Sequence, residues 1–137
     1  MRVFLDTNVL VSAFTTRGLC ADLLRVVLTE HELVVGDVVL DELKRVLRAR
    51  FGVPAERVDE VEVFLRTFTV VAAPRARSLT RRVRDPADGA VLTSAELAGA
   101  DLLVTGDNDL LTADLSSVVR IVTPRAFWDQ LRRGPTR

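Results

Sequence analysis

Short apolar runs alternate with stretches in which apolar side chains recur every three or four positions, and this alternation predicts a β-α-β-α chain. Residues 2–5 form an apolar run that stops at Asp6, after which 8–14 and 21–30 read as helices. A strand over 33–35 precedes a long amphipathic helix over 37–50, with Gly52 just past its end. Pro54 opens a further helix reaching 68, paired with the one before it, and the β-branched residues 69–72 read as a strand. An arginine-rich connection follows Pro74; then come a helix over 86–98, a strand over 102–105, a short helix from 108, a strand over 118–122 and a last helix over 124–132. Strands separated by helices predict an α/β fold with a central, mostly parallel sheet covered on both faces, because parallel neighbours need crossovers that bury both sides. Open sheets of this kind bind ligands beyond the carboxyl ends of their strands.

With 137 residues, 48% of them hydrophobic and 28% charged, the chain has the makings of one folded domain with one core. We assign that domain to residues 1–132 and a loose C-terminal tail to 133–137. No apolar run approaches the roughly 18–20 residues of a membrane span, and Asp6 interrupts the start too early for a signal-peptide core, which predicts a soluble, cytoplasmic protein with no membrane partner. The single cysteine, Cys20, excludes an internal disulfide and is expected to fill apolar space. The single histidine, His31, lies between Glu30 and Glu32 and is expected at the surface, so neither a histidine-based zinc site nor a serine-hydrolase triad is indicated. The only lysine, Lys44, follows no glycine-rich loop, and no G-x-G-x-x-G follows a strand, which removes P-loop and dinucleotide chemistry.

Nineteen basic residues balance nineteen acidic ones, so net charge indicates no partner and position has to do so. Acids stand where strands end or helices begin: Asp6 closes the first strand, Asp85 and Asp88 open a helix, and Asp107 and Asp109 follow the strand over 102–105. In a parallel sheet these ends share one rim, so distant carboxylates converge there. Asp85 before Pro86 has the features of a helix cap. Asp6 has a different burden, because an acid at the end of a buried strand is costly without a partner. Glu42 falls between Val38 and Val46 at about 100° per residue, toward the apolar arc, whereas Asp41 lies on the outer arc with Arg45 and Arg48. Carboxylates gathered within a few ångströms cannot all stay ionised without a compensating charge. Oxygen-only ligation selects Mg²⁺ or Mn²⁺, and such a site can activate a water against a phosphodiester and neutralise charge on the leaving oxygen.

Asp6-Thr7-Asn8, Glu42 in a long helix, the Asp-Pro-Ala-Asp run at 85–88 followed by Leu92 and Ala95, and Val104-Thr105-Gly106-Asp107 together resemble PIN-domain ribonucleases, the toxin components of bacterial toxin-antitoxin pairs (VapC-type) most of all. The resemblance implies a three-layer α/β/α domain and metal-dependent endonuclease action on single-stranded RNA. It assigns Asp6, Glu42, Asp88 and Asp107 to an acidic catalytic and metal-binding quartet, Asp109 to a frequent fifth metal-binding acid, and Thr7, Asn8 and Thr105 to supporting polar positions. Many such proteins carry a further acid where this chain has Thr93. The resemblance further implies homodimers and a small antitoxin protein that blocks the acidic pocket. Arg75, Arg77, Arg81, Arg82 and Arg84 crowd the connection before Asp85 and are candidates for holding the RNA backbone. Few aromatic residues fall outside helical or strand patterns, so stacking platforms are scarce. The alternative is a non-catalytic PIN-like binding module in which the acids only cap helices. A receiver-like phosphotransfer domain would need a lysine after a late strand, and Lys44 sits elsewhere.

Overall fold

The structure, a computed structural model, describes residues 1–75, 85–112 and 119–134. Its elements run β1 (Arg2–Leu5), α1 (Thr7–Thr15), α2 (Leu19–Glu30), β2 (Glu32–Gly36), α3 (Asp37–Ala49), α4 (Ala55–Leu65), β3 (Thr69–Val71), α5 (Pro86–Leu97), β4 (Leu102–Val104), α6 (Asn108–Leu111), β5 (Arg120–Val122) and α7 (Pro124–Arg132). The strands form one sheet in the order β3-β2-β1-β4-β5, and every pairing is parallel. The sheet is flanked by helices, giving the three-layer α/β/α arrangement. Its centre is the most apolar part: Val3, Phe4, Leu5, Leu33, Val34, Val35, Leu102, Leu103 and Val104 are buried, while the edge strand β3 is partly open. That pattern is what a parallel sheet covered on both faces requires. No helix among the described residues is long and apolar enough to cross a membrane.

Strand order reverses between β1 and β4. The chain moves outward one way from β1 through β2 to β3, then crosses back to β4 and continues to β5. Loops leaving β1 and β4 therefore diverge, and the crevice between them is where open α/β sheets accept ligands. At the end of β2, Gly36 permits a close approach: a Cβ there would stand 3.0 Å from the Phe4 ring and 3.3 Å from Ser94 of α5. A side chain at this position would push α5 away from the sheet, and α5 carries Asp88.

Several boundaries differ from the sequence expectation, each for a local reason. Helix α2 starts at Leu19, two residues early, because Gly18 at φ 152° turns the chain immediately before it. Helix α4 stops at Leu65 instead of continuing to 68, since Thr67 and Phe68 bond back to the carbonyls of Phe64 and Leu65 in a tighter turn, with the Thr67 hydroxyl also donating to Phe64 O at 2.6 Å. His31 is not a free surface residue: it is half-buried against the Phe127 ring, centroids 6.2 Å apart, and the Met1 amine lies 3.4 Å from its Nδ1. Burial and that amine lower its pKa. Cys20 is half-buried and packs against the core. Arg133 and Gly134 close α7 through bonds to Asp129 O and Leu131 O, while 135–137 of the expected tail lie outside the described residues, as does position 118 of the expected last strand.

Helices α3 and α4 are tied by an ion-pair network. Glu62 accepts from Lys44 at 2.8 Å and from Arg66 at 3.0 Å, and Arg66 reaches Asp37 at 3.2 Å. The lone lysine is thus occupied between two helices.

Candidate active site

Asp6 leaves the buried end of β1 and caps α1, with only 6% of its surface exposed. A carboxylate so placed needs donors, and it has two: the Thr7 N–H at 2.8 Å on Oδ1 and the Thr105 hydroxyl at 2.7 Å on Oδ2. Burial raises the Asp6 pKa; the hydrogen bonds from Thr105 and Thr7 oppose the rise, and the negative charges of Glu42 and Asp107 add to it. Thr105, fully buried beyond β4, also accepts from the Asp107 N–H at 3.0 Å. One hydroxyl therefore fixes both acids on either side of the strand-order reversal. Asn8 ties the same two loops, its Oδ1 accepting from Gly106 N–H at 3.5 Å.

Glu42 reaches the crevice from α3 and accepts from the Thr7 hydroxyl at 3.2 Å. Its side chain is 43% exposed, so the inward arc read from the helix wheel ends at the mouth of a cleft and not in the core; an Arg45 nitrogen stands 4.0 Å away. Asp88 enters from the first turn of α5, whose N-cap is Asp85, accepting from Ala87 N–H at 2.9 Å. Asp107 caps α6 by accepting from Asp109 N–H at 2.9 Å. Desolvation, the Asp107 charge and a hydrogen bond to the Asp107 carboxyl push the Asp88 pKa up to about 7, with Asp85 and Asp6 adding smaller increments.

Asp6, Thr7, Asn8, Glu42, Asp88 and Asp107 all line one cleft of about 530 Å³. Two of these acids, Asp88 and Asp107, have carboxylate oxygens that lie with one of Asp109 within 4.8 Å of one another. Asp109 itself is exposed at the rim, and Asp6 and Glu42 stand back from this trio. Thr93 is buried in α5. Of the arginine cluster, Arg75 is exposed; Arg77, Arg81, Arg82 and Arg84 lie outside the described residues. Sequence reasoning passed over Ser12, Thr15, Arg50 and Phe51, which also line the cleft. The available signal was Phe51 itself, an aromatic side chain stranded between the end of a helix and a proline.

Three oxygen-donor acids whose carboxylate oxygens lie within 4.8 Å of one another form a donor set of the kind that suits a hard divalent cation. Among the described residues the nearest basic group to the acids of the cleft is the Arg45 nitrogen 4.0 Å from Glu42, and no arginine or lysine pairs with Asp6, Asp88 or Asp107.

A comparison with curated protein sequences returns no match. Among solved structures, VapBC2 from Rickettsia felis bound to a promoter DNA fragment is similar at 16% identity and a TM-score of 0.65, covering 88% of this chain and 98% of that one. DNA-bound VapBC from Salmonella typhimurium is similar at 18% identity and a TM-score of 0.63, covering 90% and 98%. VapC20 from Mycobacterium tuberculosis, described as a sarcin-ricin loop cleaving toxin, is similar at 13% identity and a TM-score of 0.56, covering 80% and 92%. At such identities the likeness is one of fold. The sequence model of the PIN domain matches residues 2–109, which spans every acid of the cleft, and the chain belongs to the PIN domain family.

Proposed function

We propose that this protein is a Mg²⁺- or Mn²⁺-dependent endoribonuclease that hydrolyses phosphodiester bonds of single-stranded RNA, acting in the cytoplasm as the toxin of a toxin-antitoxin pair. The observation that carries the reading is the gathering of Asp6, Glu42, Asp88 and Asp107 around one cleft at the strand-order reversal, with the Asp88 pKa pushed up to about 7 by desolvation and then by its acidic neighbours. Asp88, Asp107 and Asp109 would hold the cation, with Asp6 and Glu42 acting from the cleft wall. When bound, the ion supplies positive charge to the scissile phosphate. The chain's own residues do the positioning: Thr105 orients Asp6 and Asp107 together, Thr7 orients Glu42, and Asn8 holds the loop that carries Asp107. The carboxylates then align the attacking water by accepting its protons as hydrogen bonds.

Support for RNA as substrate comes from the described activity of the Mycobacterium tuberculosis relative, and support for a small antitoxin partner from the VapBC complexes. We extend both to this chain, together with a homodimeric assembly. The test is a cleavage assay on a labelled single-stranded RNA pool. The wild type should cut in Mn²⁺ and stop in EDTA, and Asp6→Asn should lose more than about 100-fold of that activity while keeping its circular dichroism melt. Undiminished cleavage by Asp6→Asn would reject the site, and no calorimetric uptake of Mn²⁺ by the wild type would favour a binding module.

A further inference from the structure

The cleft has a second pole. Beyond the acids its wall passes over Val11, Val46 and Val91 and ends at Arg50 and Phe51, at the carboxyl end of α3. Local backbone geometry puts them there: Arg50 caps the helix, Gly52 at φ 59° reverses the chain, and Val53 N–H closes the turn on Leu47 O at 2.9 Å. The residue before that glycine is left at the surface. Phe51 is accordingly 50% exposed, and no described ring stacks on it. Arg50 is exposed, and its guanidinium has no partner among the described residues. Among the described residues lining the cleft it is the one basic side chain.

An open aromatic face beside an unpaired guanidinium is the pair of groups that holds a nucleotide, the ring by stacking on the base and the arginine by bonding phosphate oxygens in a fork. Here the pair shares a continuous wall with the acids, and about 530 Å³ lies within the range of sites that enclose one small-molecule-sized group. A base reaches Phe51 only if it is unpaired, since a duplex keeps its faces stacked. Resting on the nuclease reading above, we propose that Phe51 and Arg50 form a nucleotide subsite beside the scissile bond, Phe51 stacking an unpaired base and Arg50 holding the adjacent phosphate, and that this subsite makes the cleft selective for single-stranded RNA.

The experiment measures binding in an Asp88→Asn background, which slows hydrolysis, by fluorescence anisotropy with fluorescein-labelled mixed-sequence RNA of about 12 nucleotides. The same RNA annealed to its complement serves as the duplex probe. Single strands should bind and duplexes bind more weakly. Phe51→Ala should weaken single-strand binding about tenfold, Phe51→Trp should preserve it, and Phe51→Leu should behave like the alanine variant. Arg50→Gln should weaken binding and flatten its salt dependence by about one phosphate contact. Half-exposed Phe51 tolerates these changes, and unaltered melting temperatures verify that. In the Asp88-intact protein, Phe51→Ala should raise KM for cleavage with kcat maintained.

Binding that is unchanged by Phe51→Ala, absent in the parent or equal for duplex overturns the subsite. Full binding by Phe51→Leu also overturns it, since apolar bulk alone would then suffice, as for a docked protein segment. RNA that binds in a Phe51-dependent way yet is never cut by the Asp88-intact protein sinks the nuclease reading and leaves the subsite standing. Cleavage indifferent to Phe51 does the reverse.

Discussion

At the amino end of the central sheet, Arg2 places two guanidinium nitrogens on Ala98 O, at 3.1 and 2.6 Å, and a third on Glu32 at 3.2 Å, while its backbone N–H donates to Asp101 at 2.8 Å. At the carboxyl end of the same strands, Asp6, Glu42, Asp88 and Asp107 line one cleft, and their partners among the described residues are threonine hydroxyls, backbone N–H groups and, for Glu42, an Arg45 nitrogen 4.0 Å away. The first rim closes its charges within the chain and staples β1 to its neighbours. The second leaves Asp6, Asp88 and Asp107 without a basic partner among the described residues. The α3–α4 pair shows that the chain can neutralise acids when only stability is at stake: Lys44 and Arg66 hold the Glu62 carboxyl below its ordinary value, the opposite of what happens to Asp88. The contrast between acids left without a close basic partner among the described residues and acids paired in the scaffold is what the proposed cation site rests on.

The largest expected effect sharpens this contrast with pH and metal. Asp6 and Asp88 both have raised pKa values, so the native state holds protons there that the unfolded chain has released. Their contribution to stability is complete below the ordinary carboxylate value of 3.8 and is lost as pH rises toward about 7 for Asp88. In EDTA the melting temperature should accordingly be lower at pH 8 than at pH 5, once the behaviour of an Asp6→Asn/Asp88→Asn control is subtracted. Mn²⁺ at 100 times its Kd should reverse this above neutrality by about 2.7 kcal/mol and bind progressively more weakly below it. A melting temperature indifferent to Mn²⁺ at pH 8 would erase the distinction between the two rims.

Next in size is Thr105→Val, which keeps shape and removes the hydroxyl that Asp6 and Asp107 share. Leaving Asp6 with one donor at 6% exposure should cost about 1–3 kcal/mol in urea unfolding, and cleavage should fall with it. The smallest effect is expected at the opposite rim. Arg2→Ala loses a part-exposed set of bonds worth about 1 kcal/mol by the same measurement, with RNA cleavage per folded molecule unchanged. Loss of activity in Arg2→Ala, with a normal melt, would show that the amino rim also serves the site.

Much of this was legible before any coordinates. A buried strand that halts at an acid, an Asp-Pro helix start with a second Asp three residues on, and Gly-Asp after an apolar strand are local signals, and local backbone preferences decide them. The parallel sheet followed from the alternation of elements, whereas the strand order and its reversal between β1 and β4 came only from the structure. Other features had no local trace. The bond from Thr105 to Asp6 spans 99 positions of sequence. Asp109 was read alongside Asp107, yet its approach to Asp88 depends on how α6 meets α5. Glu42 was placed on the apolar arc by helical geometry, but whether that arc ended in core or in a cleft depended on what α1 set opposite it. Phe51 and Arg50 looked like a helix end and nothing more.

The sequence by itself determined which residues carry charge and where each sits relative to its own strand or helix, because hydrophobic periodicity and capping act over a few positions. Only the tertiary structure decided which of those charges meet. Whether a carboxylate finds a guanidinium, as Glu62 does, or another carboxylate, as Asp88 does, depends on the packing of elements far apart in the chain. Electrostatic energy depends on separation in space and on burial, and neither is a property of spacing along the sequence.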